Sequence, residues 1–153
     1  MCKLCWALVA TLTIAIAALG YKFIIAGSTA PAASGRTAII MNAGEREFVL
    51  AEMRAFLVSV QDITQGLSDN DMKQVAEAAK TSGHSAVHGA PGTLMGKLPI
   101  EFKKLGMDTH KKFDQLAREA AEIGDKDLLL KNLGILMQNC TACHASYEIQ
   151  LAE

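Results

Sequence analysis

An apolar run near the amino terminus constrains the fold more than any other feature of the sequence. Residues 4–26 form a stretch of 23 residues in which Lys22 is the only charge. A helix of about 20 apolar residues is long enough to cross the hydrocarbon core of a bilayer. Only a helix or a closed barrel satisfies its backbone polar groups there. We therefore predict that residues 1–26 form a transmembrane anchor.

A cleavable secretory signal is the alternative interpretation of the same segment. Lys3 supplies a positive start, and the Ala-Pro-Ala sequence at residues 30–32 resembles a cleavage site. The apolar run is longer than the roughly 7 to 15 residues of an ordinary signal core, which favours an uncleaved anchor. Both interpretations export the remainder of the chain. We therefore expect an inner-membrane protein whose main domain lies in the periplasm.

Charge and composition exclude two classes of protein. The chain has 15 basic and 16 acidic residues, for a formal net charge of -1. Nucleic-acid binders concentrate basic residues on one surface, so that class is excluded. Half of the residues are hydrophobic (50%) and 20% are charged, which excludes a disordered chain. The segment after the anchor has the size of one compact domain.

The pattern after the anchor predicts a linker and then an all-α domain. Residues 27–43 are rich in Gly, Ala and Ser, which is typical of a tether, although their Ile-Ile-Met patch is expected to pack. From residue 44 the apolar positions recur at helical spacing, and no segment alternates like a strand. We predict a four-helix antiparallel bundle over residues 44–153, with helices at 44–67, 70–82, 109–123 and from 125 onward. Asn42 is predicted to cap the first helix, and Gly83 and Gly124 to end the second and third.

The residues with the most specific chemistry are Cys140-Thr141-Ala142-Cys143-His144, a C-x-x-C-H sequence of the type that attaches c-type haem. On a helix, Cys140, Cys143 and His144 occupy positions i, i+3 and i+4 and project from one face. Two thiols can then bond the vinyl groups of a porphyrin while the imidazole binds its iron. We predict one covalently attached haem c, with His144 as an axial ligand.

Two other functions of paired cysteines fit the sequence less well. A redox-active dithiol is expected at the start of a helix in a βαβ unit, not near the end of the last helix of a helical chain. A structural zinc site needs four ligands, and His84, His88 and His110 occur singly. We expect His110 to be exposed. The earlier Cys2/Cys5 pair has no following histidine and is predicted to be inert.

A C-x-x-C-H-x-x-Y sequence on the last helix of a predicted bundle resembles the class II cytochromes c, which are the cytochrome c prime group and its low-spin relatives. The resemblance covers about residues 44–153. It implies one haem inside a four-helix bundle, with the motif on the last helix and the distal residue on the first. Tyr147 occupies the aromatic position after the histidine. The family commonly has a basic residue next, where this chain has Glu148.

The sixth iron ligand separates the two functions that the resemblance implies. Members with a methionine from the first helix resemble low-spin electron carriers, whereas members with an apolar residue there resemble five-coordinate proteins that bind gases. Met53 is the only methionine in the predicted first helix and lies on its apolar stripe. We predict that Met53 is the second metal ligand. Met107, Met95 and His88 are the alternatives.

Neighbouring residues are assigned to the same predicted site. Phe56 and Leu57 continue the apolar stripe beside Met53, and Leu57 is the distal residue of the five-coordinate alternative. Arg54 is predicted to neutralise a haem propionate. Four lysines form one local basic cluster, which is expected either to face an acidic redox partner or to be solvated. It consists of Lys103, Lys104, Lys111 and Lys112.

The sequence therefore predicts a membrane-tethered monohaem c-type cytochrome that passes single electrons between redox partners on the periplasmic side. We expect it to work beside a membrane complex, as a respiratory or photosynthetic subunit. The alternative is a haem protein that binds NO or CO. No catalytic triad, carboxylate pair or phosphate loop is present, so an enzyme is not predicted. Nucleic acid is not an expected partner, and a homodimer is left open.

Overall fold

The computed structural model describes residues 3–87 and 89–152, and most of these residues are helical. The described part contains six α-helices and three short strands. The helices are α1 (Lys3–Gly20), α2 (Ala43–Ser68), α3 (Met72–Thr81), α4 (Leu94–Lys97), α5 (Ile100–Glu122) and α6 (Lys126–Ser146). The strands are β1 (Thr29–Pro31), β2 (Thr37–Met41) and β3 (Tyr147–Leu151). A π-helical segment, Tyr21–Ala26, extends α1, and His84–Val87 form a short 3₁₀ turn.

The predicted apolar helix is present. The α1 helix and its π-helical extension run continuously over Lys3–Ala26, which is 24 residues. In the most apolar 18-residue window of this helix, no residue is buried against the rest of the chain (0%). By its length and composition, the segment could therefore cross a membrane.

A small sheet corrects the prediction that the chain has no strands. The predicted linker contains β1 and β2, which are antiparallel, and β3 pairs with β2 in parallel. Ile39 and Met41 are fully buried in β2 (0% exposed). Their apolar patch packs, as expected. A five-residue strand with residues buried on both faces has no alternating pattern, which is why periodicity did not reveal it.

Four helices share one core. Helix α3 packs against α2 and α5, and α6 packs mainly on α5 and meets α2 along a seam with few contacts, here called the α2–α6 seam. At the centre, Phe113 is fully buried (0% exposed) and stacks on Phe56 at 5.4 Å between ring centroids. Apolar residues at helical spacing supply the other core side chains. Among them are Ile63, Leu67, Val75, Leu116, Leu129, Leu133 and Leu136.

The helix ends partly follow the sequence. Gly124 has a left-handed φ of 66° and follows α5, as predicted. Gly83 was predicted to be a left-handed terminator, and this is wrong because its φ is not positive. A Cβ on Gly83 would displace the carboxylate of Asp114, which accepts from the His84 N–H at 3.0 Å. Close packing, not backbone conformation, explains this glycine.

Helix α5 begins nine residues earlier than the predicted residue 109, at Ile100. Gly106 suggested a break, but a glycine inside a helix costs only about 1 kcal/mol and is tolerated in a packed one. At 1.5 Å per residue, the 23 residues of α5 span roughly 35 Å. The start of α5 lies beside the end of the apolar helix, and this end of the domain is here called the anchor end. Helix α5 finishes at the opposite end of the domain, where Gly124 approaches Met72.

His110, predicted to be exposed, is buried (3% exposed). Its Nδ1–H donates to the carbonyl of Ser82 at 2.9 Å, and its Nε2 lies 3.2 Å from the carboxylate of Glu52. Burial alone would lower the pKa of His110, but Glu52 and the Ser82 carbonyl raise it above its ordinary value. The imidazole therefore links α5 to α2 and to the end of α3.

A buried carboxylate organises the anchor end. Asn42 caps α2 as predicted: its side chain accepts from the Glu45 N–H at 2.8 Å, and Glu45 accepts from the Asn42 N–H at 2.9 Å. Glu45 is 2% exposed and also accepts from Lys97 Nζ and Thr93 Oγ1, each at 2.6 Å. Burial alone would raise the pKa of Glu45, but these hydrogen bonds lower it to about 2.

Replacing this carboxylate is expected to change how stability depends on pH. The folded pKa of Glu45, about 2, lies below the ordinary value of 4.5, so its contribution is present above pH 4.5 and is lost as the pH falls toward 2. In that window the free energy of unfolding decreases with falling pH in both proteins. The decrease should be steeper in the wild type than in Glu45→Gln, and the two slopes should differ by about 1.4 kcal/mol per pH unit. Denaturant titration at several pH values measures this difference. Glu47→Gln, on the exposed side of α2, should keep the wild-type slope.

Candidate functional site

The C-x-x-C-H sequence lies in the last two turns of α6. Asp125 caps the start of this helix by accepting the N–H groups of Asp127 and Leu128. Cys140 and Cys143 are half-buried free thiols, and His144 is exposed. The three residues share one helix at the predicted spacing, so the motif is presented as a unit.

Asn139, directly before the motif, fixes the rotation of α6 against α5. Its amide nitrogen donates to Asp108 at 2.8 Å and to Thr109 at 3.2 Å, and its amide oxygen accepts from Lys112 at 2.9 Å. This amide is buried (8% exposed), so its loss would leave polar partners unsatisfied. Asn139 therefore holds the turn before the motif against α5.

A cleft of about 200 Å³ opens between α2, the end of α6 and the start of β3. Met53 lines it from α2, and Cys143 and His144 line it from α6. The structure therefore brings the predicted metal ligands, His144 and Met53, to one cavity. The remaining lining residues are Arg36, Arg46, Leu50, Phe102, Tyr147, Glu148 and Ile149.

Several predicted site residues lie outside the cleft. Cys140 is half-buried one turn before Cys143 and does not line it. Arg54 pairs with Glu47 at 2.5 Å on the exposed side of α2. Phe56 belongs to the core described above. Leu57 is 70% exposed, so it covers nothing in the cleft.

The alternative iron ligands are placed elsewhere. Met107 lies in a separate open depression with His84 and Lys104. Met95 is on α4 and is 45% exposed. His88 lies outside the described residues. Among the described candidates, only Met53 shares the cleft with His144.

Tyr147 differs from its predicted position on the last helix. It is the first residue of β3, with extended backbone angles (φ -128°, ψ 152°). Its ring meets Phe102 edge to face, with centroids 5.4 Å apart and an angle of 83°. Burial raises the pKa of Tyr147, as do Cys143 and Glu101. The tyrosine therefore forms part of the cleft wall, although helix α6 has already ended.

Arg36, at the turn before β2, holds the end of α6 in place. Its guanidinium donates to the backbone carbonyls of His144 at 3.4 Å and Tyr147 at 3.3 Å, and pairs with Glu148 at 2.8 Å. Cations at a helix carboxyl terminus compensate its unpaired carbonyls. The sequence did not identify Arg36, because nothing local places the turn at residues 32–36 beside the motif.

Two further cleft residues were detectable in the sequence. Arg46 and Leu50 precede Met53 by seven and three residues, which places them on the same face of α2. Phe102 precedes residue 109, where the sequence predicts the third helix to begin, whereas the structure places it in the first turn of α5. The cleft thus has apolar walls and two arginines.

The thiols are not activated as nucleophiles. Burial raises the pKa of Cys140, and burial together with Cys140 raises the pKa of Cys143 to about 11. Redox-active dithiols instead have a depressed thiol pKa. Among residues 3–87 and 89–152, no three His, Cys, Asp or Glu side chains form a cluster suited to a metal ion, so the zinc alternative gains no support.

Comparison with known proteins adds no assignment. No family model, curated protein or solved structure matches this chain. The function proposed below therefore depends on the motif and on the geometry of the cleft.

Replacing Arg36 is expected to loosen β3. Arg36→Ala removes the donor to the His144 and Tyr147 carbonyls, so the backbone amides of β3 should exchange with deuterium about tenfold faster. Hydrogen-exchange mass spectrometry of the peptide covering residues 147–151 measures this rate. Arg54→Ala, which removes only an exposed ion pair, is the matched control and should leave β3 unchanged. Equal exchange in both variants would contradict the role given to Arg36.

Proposed function

We propose that this chain is a membrane-anchored monohaem c-type cytochrome that carries single electrons. Cys140 and Cys143 attach the haem, and His144 and Met53 bind its iron. The observation that supports this most is that His144 and Met53, from helices α6 and α2, line the same cleft as Cys143. An imidazole and a thioether that line one space are the ligand types that a low-spin His/Met haem needs. We also propose that α2, α3, α5 and α6 constitute a four-helix bundle.

The residues present fit a haem c by the chemistry of their donor atoms. Both thiols are free to form thioethers, an imidazole follows directly, and a soft thioether lines the same cleft. The cleft, at about 200 Å³, is smaller than ordinary small-molecule sites. A macrocycle therefore requires α2 and α6 to lie further apart, and these helices make few contacts with each other.

A bound haem would supply reversible one-electron chemistry at iron. The chain sets the conditions for it. The Met53 sulfur, a soft ligand, favours the reduced state, and the apolar walls formed by Leu50, Phe102 and Ile149 limit the access of water. Arg46 and Arg36, the latter paired with Glu148, line the site, where the propionate groups of a haem would need compensation. These two arginines replace Arg54 in that role.

The membrane location is part of the same proposal. Lys3–Ala26 spans the inner membrane, and the domain lies in the periplasm, where it exchanges electrons with protein partners of a membrane complex. The length and exposure of the apolar helix support this location. The gas-binding alternative needs an apolar residue over the iron, and Leu57 lies on the exposed side of α2.

Covalent attachment has a direct test. The haem of the purified chain should remain bound after acid-acetone extraction, because thioether bonds and not coordination hold it. A chain carrying both Cys140→Ala and Cys143→Ala should lose its haem to the solvent, and Cys5→Ala should behave like the wild type. Spectrophotometry of the extract measures the released haem. Complete extraction from the wild type would rule out attachment by the motif.

The ligand assignment predicts the spectrum of Met53→Ala. The wild type should be low-spin and bind carbon monoxide poorly, whereas the variant should bind it readily and have a lower reduction potential, because a soft ligand is lost. Its stability should fall by about 2 kcal/mol from the cavity. Met107→Ala, in the separate depression, is the control and should keep the wild-type spectrum. A high-spin wild type would instead favour the gas-binding function.

A further inference from the structure

The apolar helix ends against the globular domain and not in a free tether. The Lys103 ammonium, in the first turn of α5, donates to the carbonyls of Phe23 at 3.3 Å and Ile24 at 3.2 Å. The N–H of Ser28 donates to the carbonyl of Lys97 at 2.7 Å. The last turn of the helix is therefore bonded to α5, and Ser28, which follows it, is bonded to α4.

Close backbone packing fixes this junction. Gly27 has a left-handed φ of 68°, and a Cβ there would collide with the carbonyl of Lys97. The ring of Phe23 lies against Gly96, where a Cβ would come within 3.3 Å of it. Both glycines allow α4 to approach the end of the apolar helix. The orientation of the domain relative to that helix is thus set by contacts.

We propose that α4 and the first turn of α5 form a membrane-facing surface that binds the headgroups of anionic phospholipids. This rests on the proposed insertion of Lys3–Ala26 and not on the haem. A residue within hydrogen-bond distance of Phe23 and Ile24 lies where the helix leaves the bilayer, which is the level of the headgroups. Elements packed on that turn must lie at the same level.

The charges of this surface suit an anionic lipid. It has three lysines and one carboxylate, so its formal charge is +2. Glu101 pairs with Lys104 at 2.7 Å, and Glu45 is buried under Lys97. Basic groups beside a membrane helix are attracted by the surface potential of anionic lipids. The charged residues of α4 and the first turn of α5 are Lys97, Lys103, Lys104 and Glu101.

One apolar side chain completes the surface. Met95 is 45% exposed on α4 and directly precedes Gly96, which lies against the ring of Phe23. A flexible apolar side chain beside lysines fits the boundary between headgroups and acyl chains. The basic cluster expected from the sequence is thereby divided, since Lys103 and Lys104 lie on this surface and Lys112 bonds Asp108 and Asn139.

The far end of the domain offers matched controls. Because α5 leads away from the anchor end over roughly 35 Å, the start of α6 lies far from this surface. Leu130 is 55% exposed there, and Lys131 beside it is also exposed. Leu130 matches Met95 in exposure, and Lys131 matches Lys104 in charge.

A photo-crosslinking experiment on the full chain tests the proposal. The chain is placed in nanodiscs of equal parts phosphatidylcholine and phosphatidylglycerol, with benzoylphenylalanine replacing either Met95 or Leu130. Mass spectrometry should find lipid adducts at position 95 and not at 130, with phosphatidylglycerol enriched at least about fivefold. In the chain with the crosslinker at position 95, the additional substitution Lys104→Gln should lower the phosphatidylglycerol enrichment about fivefold, as expected for one lysine near an anionic surface. Lys131→Gln in the same chain should not change the enrichment.

Each other outcome contradicts a defined part of the proposal. Membranes are first washed with high salt, and the chain should remain until detergent is added. If it remains but position 95 gives no more adducts than position 130, the surface is wrong and the anchor stands. Adducts without a preference for phosphatidylglycerol overturn the anionic specificity. Release by salt overturns both the anchor and the surface, and haem retention reports separately on the cytochrome assignment.

Discussion

The buried carboxylate of Glu45 is the interaction on which the arrangement of the anchor end depends. It accepts hydrogen bonds from the start of its own helix, from Thr93 and from Lys97. A buried charge without such partners is strongly destabilising, so α2 and α4 must meet where they do. The backbone carbonyl of Lys97 in turn accepts from Ser28. One side chain thus joins the first helix of the domain to the residues that follow the apolar helix.

The candidate site inherits its geometry from two polar networks on opposite sides. Glu45 fixes the start of α2, and Met53 follows two turns later on that helix. Asn139 fixes α6, and the C-x-x-C-H sequence follows immediately. Between the two helices the α2–α6 seam has few contacts of its own. The positions of Met53 and His144, the proposed iron ligands, are therefore set from outside the cleft.

The sequence predicted the parts of this protein that depend on local signals. The capping role of Asn42, the end of α5 at Gly124 and the spacing of the motif follow from residues a few positions apart. The remainder depends on contacts between distant segments. His110 is buried because Glu52 and a carbonyl of α3 complete its hydrogen bonds, and Arg36 reaches the motif only through the parallel pairing of β2 with β3. No local pattern encodes either contact.

The connection between the apolar helix and the sheet consists of Gly27 and Ser28 alone, which limits the reach of the domain. Fully extended, that connection spans about 10 Å. The cleft lies at the same end, since Phe102 lines it and Lys103 contacts the helix. With the helix in a bilayer, the site stays at the lipid surface, so encounters with partners become a two-dimensional search. Under the proposed electron-carrier function, a partner would have to present its redox centre close to the plane of the membrane.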